Sequence, residues 1–180
     1  EEAIVHVVPC VNIDGGVLGN HRTNAAGRDL NRSWNAPDPA AVPEVFAIRR
    51  AIAENGVDMF LDIHGDEALP YVFAARCEGN PGYSPRLSAL EDDFAENLEA
   101  ADPSFQSVRG YDPDPPGEAD LSCAANWVGE RYDCLALTLE LPFKDDANHP
   151  SCRYGWSPGR SESLGRALLE ATLLTLPDLR

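Results

Sequence analysis

Three groups of side chains in this sequence could do chemistry. The first is the run NHRTNAAGRDLNRSW, residues 20–34, where Arg22, Arg28 and Arg32 stand among Asn20, Asn24 and Asn31 with no apolar period of 3.6 or 2. Guanidinium groups hold carboxylates through paired bonds, and a neighbouring amide can donate to the same anion. Asn31 with Arg32 could therefore grip a terminal carboxylate. Arg22 could sit against a developing oxyanion, where a fixed positive charge favours the transition state over the ground state. A surface loop with scattered arginines is the other reading of this run. The second group is His64, in LDIHGDE: neutral imidazole is the commonest metal-binding side chain, and it is equally an ordinary hydrogen-bonded residue at the end of an apolar run. The third is Glu140, in CLALTLEL, a carboxylate between Leu139 and Leu141 that would be costly to bury unpaired. Strand alternation turns it to the face opposite those leucines. There it could serve as a general base beside a metal-bound water or take part in a structural salt bridge.

These groups need elements to position them. Ala3 to Cys10 (AIVHVVPC), Asp58 to Ile63, Tyr71 to Ala75 and Cys134 to Leu141 are apolar and β-branched enough for buried strands. Helical periodicity runs over Pro43 to Asn55, with Val45, Ile48 and Ile52 on one face, then over Leu87 to Ala100 and Ser161 to Leu176. Strands alternating with helices indicate an α/β layer fold, in which ligands bind beyond the carboxyl ends of strands. His64 and Glu140 both fall near such ends. The glycine- and proline-rich stretch from Arg109 to Ala119 reads as an exposed loop that could move over a site.

Composition narrows the partners. A length of 180 residues fits one domain, and a net charge of −16 argues against nucleic acid, whose phosphates require a cationic face. No apolar run is long enough to span a bilayer. Cys10, Cys77, Cys123, Cys134 and Cys152 are an odd number without a C-x-x-C pair, which fits free thiols in a reducing cytoplasm, with Cys10 and Cys134 buried in apolar runs. Lacking an initiator Met and entering almost at once into a strand-like run, the chain is expected to be the C-terminal portion of something longer.

In their order, NIDGGVLGNHRTNAAGRDLNRSW, LDIHGDE and TLELPF resemble the metallocarboxypeptidase (M14) family, most closely its cytosolic carboxypeptidase branch. The resemblance covers about residues 3 to 143. It implies a mixed sheet flanked by helices and a zinc-dependent hydrolase that removes C-terminal amino acids from peptides or proteins. By the same resemblance His64 matches a zinc ligand, Glu140 the general base, Asn31 and Arg32 the pair that binds the substrate's carboxylate, and Arg22 the arginine that polarises the scissile carbonyl. The family's other two zinc ligands come from a His-x-x-Glu motif upstream of the Asn-x-Asp-Gly segment. No such motif precedes Asn12, so two further ligands are expected upstream of this chain. His64 and Glu67 do show the His-x-x-Glu spacing, with His149 as a possible third ligand, but the Asn-Arg pair precedes His64 as it precedes the family's last ligand. Tyr111 is a candidate for the tyrosine that the family places on a mobile loop, although Glu118 falls nearer the expected separation.

Two other functions fit the same residues. One is an amidohydrolase of the aspartoacylase or succinylglutamate desuccinylase type, acting on N-acyl amino acids, whose Asp-x-Asn-Arg run is similar. The other is a module that keeps the carboxylate grip and holds no metal. Arg109, Arg131 and Arg153 are candidate cations for a specificity pocket, or else solvated surface charge.

Overall fold

The computed structural model describes residues 3–179, which divide into two compact units. The first comprises residues up to Gly56 together with Ser122–Ala124, and the second comprises Val57–Leu121 and the chain from Ala125 onward.

In the first unit Asn12 starts helix α1, Ile13–Leu18, by accepting the Gly15 N–H on its side chain, and Gly19 ends it in the left-handed region. A side chain at Gly15 would meet the Thr23 carbonyl at 2.3 Å, so the loop can close on the helix only over a glycine. Helix α2, Pro43–Asn55, matches the predicted bounds. Proline at its first position and Gly56 beyond its end fix them, and Val45 is fully buried on its apolar face. The strand expected over Ala3 to Cys10 does not form. Ile4, Val5, Val7 and Val8 are 85%, 64%, 73% and 53% exposed, and Cys10, expected buried, is exposed as well. β-Branched residues favour an extended backbone, but a strand exists only where a second strand takes its hydrogen bonds.

The second unit is built on a three-stranded mixed sheet. Strand β1, Met59–Asp66, runs parallel to β3, Leu135–Pro142, and β2, Phe73–Ala75, lies antiparallel on the other side of β3. Parity sorts the side chains. Leu135, Leu137 and Leu139 enter a core with Leu87, Leu90, Phe94 and Leu98 of α3, Pro85–Ala101, and Leu164, Ala167 and Ala171 of α5, Pro158–Leu179. Burying each of these large side chains contributes about 1.5–3 kcal/mol. On the opposite face Ala136 packs with Cys77, Phe60 and Ala125, which lies in α4, Ala124–Tyr132. Helix α4 was not apparent from apolar spacing. Ser84 caps α3 by accepting the Leu87 N–H, and residues 109–119 form no regular element, as expected. Among the described residues no disulfide joins any of the five cysteines, and no helix is long and apolar enough to cross a membrane.

Candidate active site

The pairing of β1 with β3 puts His64 opposite Glu140, and that of β2 with β3 puts Phe73 opposite Glu140. Side chains directly across a ladder share a face, so His64, Glu140 and Phe73 form one row across the sheet. Period-two alternation adds Asp62 and Asp66 to the same face of β1. His64 Nε2 lies 2.9 Å from Asp62 Oδ2, and Nδ1 lies 3.7 Å from Glu140 Oε1. With Nε2–H donated to Asp62, the ring turns Nδ1 toward Glu140, an orientation that a carboxylate partner fixes at many histidine sites.

Glu140 is 5% exposed. Burial holds its pKa above the ordinary carboxylate range; His64 draws it back down and Asp66 pushes it further up. Its Oε2 is buried with no hydrogen-bond partner. Asp66, also buried, caps the turn after β1 by accepting the Ala68 and Leu69 N–H groups on Oδ1. Its Oδ2 accepts the Tyr111 hydroxyl, which also lies 3.4 Å from Glu140 Oε1. Burial and the Asp66 bond together raise the Tyr111 pKa far above its usual value. Tyr111, itself 52% exposed, thus reaches the row through its hydroxyl from the glycine- and proline-rich loop, and Glu118 is exposed as well. Sequence reasoning missed Asp62 and Asp66, although their Asp-x-His-x-Asp spacing puts all three on one face of any strand.

The arginine and asparagine run belongs to the first unit, where amides and arginines do different work. Asn24 is buried; its Oδ1 accepts the Ala26 and Arg28 N–H groups, and its Nδ2 donates to the Ala41 carbonyl. Asn12 and Asn20 donate to the Thr23 and Asn24 carbonyls. The amides build the loop, and Arg22, Arg28 and Arg32 remain exposed upon it. Arg22 has a φ of 65°, in the left-handed region, and lies 4.0 Å from Asp29. Asn31 Oδ1 accepts the Ala124 N–H at 2.7 Å, and Arg32 donates to the Asn31 carbonyl. Of the proposed specificity cations, Arg109, Arg131 and Arg153 each stack on a neighbouring tyrosine, Tyr71, Tyr132 and Tyr154. His149 binds Asp146 at 3.3 Å.

The donor set can be tested against a metal ion. Catalytic zinc takes three protein ligands, and among the described residues no three His, Cys, Asp or Glu side chains are grouped to hold one. The row across the sheet offers one imidazole, and beside it the orphaned Glu140 Oε2, a buried acceptor of the kind a water or cation satisfies. These residues fit one ligand and one base of a zinc site, and they do not make up a whole one.

A mixed α/β sheet presenting an imidazole and a buried carboxylate on one face at the carboxyl end of a parallel strand pair has the fold of the metallocarboxypeptidases. The chain belongs to the zinc carboxypeptidase family, whose profile it matches over residues 1–163. It is 51% identical to a metallo-carboxypeptidase from Pseudomonas aeruginosa, solved in complex with (2-guanidinoethylmercapto)succinic acid. The TM-score is 0.94, over 96% of this chain and 46% of that one. A metallo-carboxypeptidase from Burkholderia cenocepacia gives 48% identity and a TM-score of 0.91, over 94% and 45%. Among curated relatives, an uncharacterized protein of Zymomonas mobilis is 42% identical, over 94% of this chain and 44% of its own length. Cytosolic carboxypeptidase 6 of Caenorhabditis elegans is 30% identical, over 93% and 39%. The chain therefore spans less than half the length of these relatives.

Proposed function

We propose that the intact gene product is a zinc-dependent metallocarboxypeptidase that releases C-terminal amino acids from peptides or proteins in the cytoplasm. The observation that carries this reading is the pairing of His64 with Glu140 on one face of the sheet, with the Glu140 Oε2 atom buried and unpartnered. His64 would be one zinc ligand, and zinc, when bound, supplies Lewis-acid polarisation of the scissile carbonyl and acidifies water. Glu140 acts as general base, and burial raises its pKa, which makes it a stronger proton acceptor than an exposed carboxylate. Asn31 and Arg32 fix the substrate's terminal carboxylate, the amide donating through Nδ2 while its Oδ1 stays on the Ala124 N–H. Arg22 stabilises the oxyanion, and its left-handed backbone on an amide-built loop supports a charge held in place before substrate arrives. The family match favours this reading over the N-acyl amino acid amidohydrolase and over the metal-free binder.

The test is Glu140→Gln in the intact gene product, assayed by release of C-terminal residues from peptides. Loss of a general base lowers kcat by about 10²–10⁴-fold. Turnover that survives the substitution unchanged would overturn the reading.

A further inference from the structure

The segment that delivers Tyr111 to the row is built as a strap. Gln106, buried, donates from its backbone to the Val72 carbonyl and from Nε2 to the carbonyls of Val72 and Arg109. Its Oε1 accepts the N–H groups of Val108 and Arg109, so one side chain folds the turn and fastens it to the residue before β2. The Arg109 guanidinium stacks 4.8 Å from the centre of the Tyr71 ring and donates to its hydroxyl. At Gly110 an added Cβ would lie 2.8 Å from the ring of Phe73, itself 1% exposed and unable to yield, so the backbone passes directly over that ring. The Tyr111 ring then meets Phe73 edge-on, with centroids 5.0 Å apart and planes at 86°. Each contact shortens the range of positions open to the Tyr111 hydroxyl, and the last of them is the bond to Asp66.

We propose that Asp66 is a positioning residue: it latches the strap of residues 106–111 so that the Tyr111 hydroxyl is held over the Glu140 carboxylate. The consequence for turnover rests on the peptidase reading above; the latch itself does not. Geometry singles out Asp66 because its two oxygens have separate tasks. Oδ1 accepts the two turn amides after β1, which ties the carboxylate to the strand end, and Oδ2 accepts the Tyr111 hydroxyl. A carboxylate anchored in this way defines one place for the hydroxyl, and it does so on the same strand that carries His64. Residues 112–119 beyond the strap form no regular element, and the Gly117 and Ala119 N–H groups tie them separately to the Gly79 carbonyl.

The experiment reads the latch without reading catalysis. Trypsin needs several residues of unfolded chain around its bond, so cleavage at Arg109–Gly110 reports release of the strap. Asp66→Asn retains an oxygen for the turn amides and replaces the acceptor that faces Tyr111 with an amide nitrogen. Tyr111→Phe removes the hydroxyl and leaves Asp66 intact, and it serves if the buried Asn variant folds poorly. Both variants are expected to be cut at Arg109–Gly110 about tenfold faster, the factor that goes with losing a hydrogen bond to a charged group. Cleavage after Arg153, on a separate loop, should not change. Unaltered cleavage at Arg109–Gly110 in both variants overturns the latch. In the intact gene product Asp66→Asn is expected to lower kcat, referred to the folded fraction measured by circular dichroism, about tenfold with little change in KM. Faster cleavage in a gene product without peptidase activity would leave the latch standing and sink the peptidase reading. Normal cleavage in an active enzyme would do the reverse.

Discussion

Under the proposed function Arg22 would join a backbone cost to a chemical role. A non-glycine residue at positive φ costs about 1–2 kcal/mol, and such strain persists where the surrounding structure over-determines it. Here the fastening is visible: Asn12 holds the Thr23 carbonyl, Thr23 N–H returns to the His21 carbonyl, and Thr23 bridges to Asp29. Arg22→Ala and Arg22→Gly both remove the guanidinium, but only glycine relieves the backbone. The glycine variant should be the more stable of the two by about 1 kcal/mol in urea unfolding, while both lose turnover. Equal stabilities would mean that the left-handed conformation costs nothing. The residue types in this loop were legible in the sequence, but their division of labour was not. An asparagine that donates to an anion and one that folds a loop look alike in a string of letters. Only the burial of Asn24 beneath three backbone groups separates it from Asn31. Glu140 was legible because a lone carboxylate in an apolar strand needs a reason. Asp66 was not, because an acid following His-Gly reads as part of a turn, and half of it is indeed that.

At the scale of elements, helix α3 carries a carboxyl in its buried stripe. Leu87, Leu90, Phe94 and Leu98 keep helical spacing, and Glu91 falls among them at 2% exposure. It accepts the Cys77 N–H on one oxygen and the Tyr83 hydroxyl, at 2.6 Å, on the other, and Arg76 and Glu78 are the charged groups nearest to it. Burial raises its pKa from 4.5 to about 7, against the opposing pull of Tyr83, Cys77 and Arg76. The native state therefore keeps this proton where the unfolded chain releases it, and stability falls as pH rises from 4.5 to about 7. Linkage puts the loss at up to about 3 kcal/mol, with no further change from this group outside the window. Glu91→Gln should flatten that part of the stability profile measured by urea midpoints. A slope unchanged by the substitution would assign it to other groups. Helix α3 was read to within two residues at its start because its apolar stripe is regular, and the two residues missed are those set by the Ser84 cap and Pro85; α2 was read at its observed bounds. Helix α1 is six residues long, α4 nine, and neither repeats an apolar face often enough to announce itself. The run from Ala3 to Cys10 misled for a different reason. Its propensity is real, but strand formation depends on a neighbour that propensity cannot supply.

Charge belongs to the molecule as a whole. Thirty acids face fourteen basic residues, leaving −16, and much of the positive charge is already engaged. Arg76 pairs with Asp92, Arg86 with Asp133, Arg160 with Asp145 and Asp146, and Arg166 with Glu162. The exposed pairs among them, Arg86–Asp133 and Arg166–Glu162, contribute about 0–1 kcal/mol each. The acids left over repel one another, as Asp93, Glu96 and Glu99 do along the exposed side of α3. Salt weakens both effects, since the screening length falls from about 30 Å at 0.01 M to about 3 Å at 1 M. Which one dominates follows from range: the pairs act across one contact, whereas self-repulsion sums over the whole surface and is the larger quantity at this net charge. Raising sodium chloride from about 0.01 M to about 0.5 M should therefore raise the thermal unfolding midpoint by several degrees, most of it gained in the lower half of that range. Asp93→Lys, which removes an acid beside Glu96, should raise the midpoint at low salt and have little effect at high salt. A midpoint that falls with added salt would show that the arginine–carboxylate pairs, rather than the excess of acid, set the electrostatic balance of the fold.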